Sequence, residues 1–275
     1  MILNLKQLAS SKSVNIKRKR RLRPIKPSRR NELWYKAELL KVVKQLTSQT
    51  EAVLEKFIKA NIITDAMPVY DITNKEKSLK EELKSLFRRF GGISQISERL
   101  ATIAAQRNLK GVDDGLISAI RSAIGVNISG MLTSNNDISI AFKKSVSENI
   151  DLITSIPKKY FEKLDKIVTE NYTKGMRYET LIDKIKDVGN VTESRAKLIA
   201  RDQTSKMASN FNEVRQQSLG IEKYIWQTSG DERVRPEHAE HDGKTFRWDE
   251  APEDTGHPGE DIQCRCVAIP IFELE

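Results

Sequence analysis

Histidine and cysteine are scarce in this chain of 275 residues, which has three histidines and two cysteines. Two cysteines separated by one residue cannot build a disulfide framework, so we expect a reducing compartment. Neither residue type occurs before position 238, which excludes imidazole or thiolate chemistry from most of the chain. All five residues lie within one stretch of 29 residues: His238, His241, His257, Cys264 and Cys266.

Long apolar runs are also missing, since none approaches the roughly 18 residues that indicate a transmembrane helix. The first residues are too short and too polar a segment for a signal peptide, so we expect no membrane partner. Aromatic residues make up only 6% of the chain, against 31% charged residues. This composition is lean for one compact core and suits extended helices. No glycine-rich phosphate loop and no His-Glu-x-x-His motif is present.

Acidic residues are absent from residues 1–30, which contain eleven lysines and arginines. Such a segment repels itself, and Pro24 and Pro27 interrupt it, so it is predicted to be a flexible basic arm. It could neutralise nucleic-acid phosphates, or it could be a solvated tail or dock on an acidic protein. The nucleic-acid-binding candidates are Lys17, Arg18, Lys19, Arg20, Arg21, Arg23, Lys26, Arg29 and Arg30.

Apolar residues recur at helical spacing through most of the chain, so a mainly α N-terminal and central region is predicted. Glycine, proline and aspartate positions divide the pattern into separate helices. The predicted helices cover 31–62, 74–90, 94–108, 113–124, a segment that follows Pro157, 178–188 and 195–219. On the last helix, Arg195, Arg201 and Asp202 are expected to form structural ion pairs.

The character of the sequence changes after Gly220. Residues 223–229, 244–248 and 264–272 are predicted strands, a short helix begins at Pro236, and 249–261 is an acidic loop. The fold class is therefore a mainly α N-terminal and central region followed by a small C-terminal α+β module, which a bound zinc ion could stabilise. The predicted divisions are a basic arm over 1–30, helical regions over 31–145 and 146–220, and the module over 221–275.

The His/Cys cluster has the residue types of a zinc site, which is usually tetrahedral and bound by thiolate and imidazole. On a strand, Cys264 and Cys266 would point to the same face, and His238 lies at a helix start. The preferred ligands of a structural Zn²⁺ are His238, His257, Cys264 and Cys266. Two alternatives stay open: the cysteines and histidines only pack and form hydrogen bonds, or the metal is catalytic.

Four motifs carry a resemblance to the phage Mu F-like minor head proteins, also called head-morphogenesis proteins. They are RAKLIARD at 195–202, YIWQTSGDERVRPEH at 224–238, DGKTF at 242–246 and PGEDIQCRC at 258–266. Their order and spacing are more specific than any single motif. The resemblance covers about 145–275, and His241 stands where the family pattern has an apolar residue, which ranks it below His238 as a ligand.

The resemblance implies a non-enzymatic structural protein of the virion, made in the host cytoplasm. It would act at the portal vertex or head interior, with the portal protein, the major capsid protein and packaged double-stranded DNA as partners. The basic arm fits contact with that DNA. Two other functions stay open, namely a metal-dependent enzyme acting on nucleic acid or protein, and a pure DNA-binding module.

Overall fold

The computed structural model of the protein describes Leu5 and residues 20–61, 69–90, 93–132, 135–174 and 178–273. Within these ranges the chain is mainly α-helical with a small sheet near the C-terminus, as predicted. The helices are α1 Arg29–Asn61, α2 Val69–Arg89, α3 Ile93–Ile124, α4 Asn136–Thr173, α5 Tyr178–Ser218 and α6 Pro236–His241. The strands are β1 Arg20–Arg21, β2 Lys223–Gln227, β3 Thr245–Arg247 and β4 Val267–Phe272. No helix in the described ranges is both long and apolar enough to span a bilayer.

Three helices continue through positions where the sequence predicts a break. Helix α3 includes Gly111, α4 includes Pro157, and α5 includes Gly189. At Gly189, a Cβ atom would lie 3.0 Å from the methyl group of Thr47, so glycine permits the close approach of α1. Packing contacts of this kind offset a helix-propensity cost of about 1 kcal/mol for glycine.

Two compact units are assembled from segments that are distant in sequence. One contains Met1–Leu33, Thr102–Ser147 and Arg201–Glu275, and the other contains Trp34–Ala101 and Glu148–Ala200. The long helices contribute different parts of their length to the two units.

The second unit is an all-helical core in its described parts. Helix α1 buries Leu39, Leu46 and Leu54 at helical spacing, which fits the predicted amphipathic pattern of this segment. The buried Tyr35 hydroxyl donates a hydrogen bond to the side-chain oxygen of Asn149 at 2.8 Å. This bond satisfies the polar end of an otherwise apolar contact, since a buried hydroxyl without a partner is costly.

The first unit contains the four-stranded antiparallel sheet, in the order β1-β4-β2-β3. Tyr224 and Trp226 of the central strand β2 are fully buried. They form one apolar cluster with Trp248, Cys264, Cys266 and Ala268. Both cysteines are therefore part of the core of the C-terminal module.

The basic segment 20–30 is not a free arm, which corrects the prediction for these residues. Arg20 and Arg21 pair with Phe272 and Ile271 of β4, and the Leu22 amide donates to the Pro270 carbonyl at 2.9 Å. Leu22 and Ile25 are buried, so apolar side chains between the charges fix the segment on the unit. Lys17, Arg18 and Lys19 lie outside the described residues.

Helix α5 holds the long loop that precedes β4. The Gln263 amide donates to the Asp202 carboxylate at 2.6 Å, and the Ser205 hydroxyl donates to the Cys264 carbonyl at 3.2 Å. Further along the helix, the Ser209 hydroxyl donates to the Pro258 carbonyl. The loop backbone is therefore bound by three side chains spaced along one helix face.

Gly259 of this loop, whose φ angle is +93°, lies close to α5. A Cβ atom here would lie 2.8 Å from Cβ of Ser209. Gly230 offers a matched control, because its φ angle is +70° and no atom lies within 4 Å of its ideal Cβ position.

We expect Gly259→Ala to lower the free energy of unfolding more than Gly230→Ala. Both variants carry the left-handed backbone cost of about 1–2 kcal/mol, and Gly259→Ala adds an overpacking cost of about 1–3 kcal/mol. Urea unfolding of both variants measures the difference. Equal destabilisation would contradict a tight loop–helix contact.

Candidate metal centre

Three of the predicted ligands meet in the core of the C-terminal module. His238 lies in the first turn of α6, and only 2% of it is exposed. Cys264 and Cys266 lie in the loop before β4 rather than on the strand, and both are buried. The ligand atoms of these three residues all lie within 4.8 Å of one another.

The separations match a tetrahedral metal shell. Nδ1 of His238 lies 3.4 Å from Sγ of Cys266 and 3.5 Å from Sγ of Cys264. Zinc bonds of about 2.3 Å to sulfur and about 2.0 Å to nitrogen, at the tetrahedral angle, put the two ligand atoms about 3.5 Å apart. A direct thiol–imidazole hydrogen bond has a similar length, so the same geometry also suits a packed, metal-free core.

Asp261 fixes the tautomer of His238. Its Oδ2 atom lies 2.9 Å from Nε2 of His238, so the imidazole donates Nε2–H to the carboxylate and directs the Nδ1 lone pair toward the sulfurs. Arg235 holds the same oxygen at 3.0 Å and donates to the Ile262 carbonyl at 2.7 Å. A carboxylate on the far ring nitrogen is the usual support of a metal-binding histidine.

The loop backbone stabilises negative charge on Cys264. A hydrogen bond from the Cys266 side chain lowers the pKa of Cys264, and the backbone amides of Cys266 and Gly259 lower it further. The pKa of Cys266 is raised, first by its hydrogen bond with Cys264 and then by burial. One thiolate therefore forms readily, whereas a second needs a nearby positive charge such as a metal ion.

His257 is not part of the cluster, which corrects the predicted ligand set. Its Nδ1 atom lies 2.9 Å from the Tyr224 hydroxyl, and its ring lies against Trp248. Burial lowers the pKa of His257 and favours the neutral ring. His241 is also outside the cluster: it contacts Asp254 at 3.0 Å and packs edge-on against Trp226.

Asp261 is the site residue that sequence reasoning missed. It lies in the acidic loop, where most carboxylates are exposed. Its position three residues before Cys264 is the only signal that could have separated it from its neighbours. The turn bond from the Cys264 amide to the Asp261 carbonyl brings its side chain back to the cluster.

The described candidates for nucleic-acid contact lie on one short segment. Arg20, Arg21, Arg23, Lys26, Arg29 and Arg30 are all exposed. Two of them have local partners, since Arg20 donates to the Ala123 carbonyl and Arg29 pairs with Glu32. The segment therefore presents fixed positive charge without a base-reading motif.

The comparisons with known proteins agree with the resemblance that the four sequence motifs between residues 195 and 266 indicate. Residues 162–269 match the family described as Phage Mu protein F like protein. The resemblance to this family is confirmed over these residues.

Two relatives extend this picture. The chain is 33% identical over 273 residues to an uncharacterized protein of Haemophilus influenzae. The aligned region covers 99% of this chain and 60% of that protein. The chain is also 31% identical over 118 residues to an uncharacterized protein of Methanocaldococcus jannaschii. This aligned region covers 42% of this chain and 18% of that protein. The chain thus spans less than two thirds of either relative. No solved structure matches it.

Proposed function

We propose that the protein is a non-enzymatic structural protein of a phage head that acts during head assembly at the portal vertex or in the head interior. The match of residues 162–269 to the Mu F-like family carries this proposal. The proposed partners are the portal protein, the major capsid protein and packaged double-stranded DNA.

A particle experiment tests the proposed location. We expect the tagged chain in purified intact heads, in contact with the portal ring by cross-linking mass spectrometry. Absence of the protein from intact heads would contradict the proposal. Cross-links to capsid hexamers alone would contradict the portal contact but not the virion role.

We propose that His238, Cys264 and Cys266 bind one structural Zn²⁺. The spacing of their ligand atoms, the Asp261 support and the ready ionisation of Cys264 favour this ion over a metal-free cluster. The ion would join α6 to the loop before β4, two segments that have little regular structure between them. Metal binding would then contribute directly to the stability of the module.

We expect freshly purified protein, kept free of chelator, to contain about one zinc ion per chain. Cys264→Ser/Cys266→Ser should remove the ion and lower the thermal midpoint, because serine is a poor zinc ligand of nearly the same size. Elemental analysis and thermal unfolding measure both effects.

His241→Ala and His257→Ala are the matched controls for the zinc measurement. Both histidines lie outside the cluster, so the two variants should keep their zinc. Wild-type protein without metal would overturn the zinc site, and zinc loss in His257→Ala would restore the ligand set predicted from the sequence.

The basic segment 17–30 is proposed to contact packaged DNA through its phosphates. Its described positive side chains are exposed, and the local lack of carboxylates leaves most of their charge available. Deleting residues 1–30 would be a poor test, because Leu22 and Ile25 are buried and β1 is part of the sheet. Charge neutralisation that keeps these contacts isolates the electrostatic role.

We expect replacement of the six described basic residues by glutamine to weaken duplex DNA binding and to flatten its salt dependence. Each lost phosphate contact should reduce the slope of log K against log salt by about 0.9. The control replaces six exposed basic residues elsewhere: Lys77, Lys84, Arg88, Arg89, Lys163 and Lys166. Equal effects of the two variants would contradict a specific role for the segment.

One observation favours a second function, a metal-dependent enzyme. Among the described residues only three ligands meet in the cluster, and catalytic zinc sites commonly have three protein ligands and one open position. Zinc-loaded protein that cleaves DNA or peptide, and loses this activity in His238→Ala, would favour the enzyme over the structural role.

A further inference from the structure

A cleft of about 340 Å³ opens beside the His/Cys cluster. All three cluster residues contribute to its walls, so a ligand in the cleft would reach the candidate metal position. Four arginines line the same cleft: Arg201, Arg233, Arg235 and Arg265. We call this feature the arginine cleft.

Two of the four guanidinium groups are held in place by neighbouring carboxylates. Arg235 is bound to Asp261 and to the Ile262 carbonyl, and Arg265 forms a two-point contact with Asp231. Fixed guanidinium groups lose little freedom when they bind a ligand, which favours recognition. Arg201 and Arg233 are exposed on the cleft walls.

The charge of the cleft is opposite to that of its surroundings. Residues 221–275 contain fourteen acidic and six basic residues, yet half of those basic residues line this cleft. Arg201 of α5 adds a fourth. Among the described residues, Asp231 and Asp261 are the carboxylates paired with these arginines, so the cleft keeps positive charge inside an acidic region.

We propose that the arginine cleft binds a phosphate group. Guanidinium forks match phosphate oxygens in pairs, and four of them carry more positive charge than the carboxylates of Asp231 and Asp261 neutralise. A phosphate oxygen could also complete the coordination of the metal at the cluster. This last contact rests on the proposed zinc site, whereas the arginine contacts do not.

The proposal is tested by calorimetric titration of the whole chain in which the six described basic residues of the basic segment are replaced by glutamine. The two ligands are inorganic phosphate and a dinucleotide that has no terminal phosphate. Arg201→Gln/Arg233→Gln should weaken binding by at least about tenfold, the ratio for one lost charge-assisted hydrogen bond. Arg99→Gln/Arg121→Gln, two exposed arginines elsewhere, should leave binding unchanged. Zinc content is measured in every variant.

The outcomes separate the possibilities. Stronger binding of inorganic phosphate supports a free phosphate ligand, and stronger binding of the dinucleotide supports a nucleic-acid backbone. No binding to zinc-loaded protein, equal weakening in both double variants, or equal affinity for an acidic peptide would overturn the phosphate proposal. If wild-type protein purifies without zinc and still shows arginine-dependent phosphate binding, the result would support the cleft and overturn the metal site.

Discussion

The attachment of the loop before β4 to helix α5 is the constraint on which the rest of the site depends. Asp202 binds the Gln263 amide, and Gln263 has a left-handed φ angle of 58°, which costs backbone energy. This turn directs the next residues so that both sulfurs face His238. Without these contacts to the helix, nothing would fix the conformation of a loop with little regular structure so that two thiols lie beside one imidazole.

The existence of the helices and the small sheet was predictable, but their limits were not. Apolar spacing correctly placed α1, the start of α5 and strand β2. Gly189 looked like a break, because the sequence does not reveal that Thr47 packs against it. The basic segment was similarly misjudged: its charge suggested solvation, whereas Leu22 and Ile25 attach it to the first unit.

The candidate site was predictable by residue type but not by partner. Scarcity identified the five residues, and three of them meet. His257 was predicted as a ligand but lies outside the cluster, whereas Asp261, which was not predicted, contacts His238. The reason is that the loop turns twice between Gly256 and Cys264, and the spacing of residues along a loop does not determine where their side chains point. Asp202 forms an ion pair on its own helix, with Lys206, and it also accepts a hydrogen bond from the Gln263 amide of the loop, a contact that the sequence did not indicate.

The distribution of charge within the C-terminal module has a functional consequence. Most of its carboxylates lie on the surface, where their negative charge would repel a DNA backbone, so the basic segment is the better candidate for the proposed duplex contact. The arginine cleft, with a volume of about 340 Å³, is an exception to this negative charge. In the proposed function, long-range attraction and local recognition would therefore be separate. The basic segment would attract DNA by its charge, and the cleft would orient a phosphate group through Arg235 and Arg265, which Asp261 and Asp231 hold in place. With both proposed sites, the protein would hold packaged DNA loosely and still bind one phosphate group at a defined position.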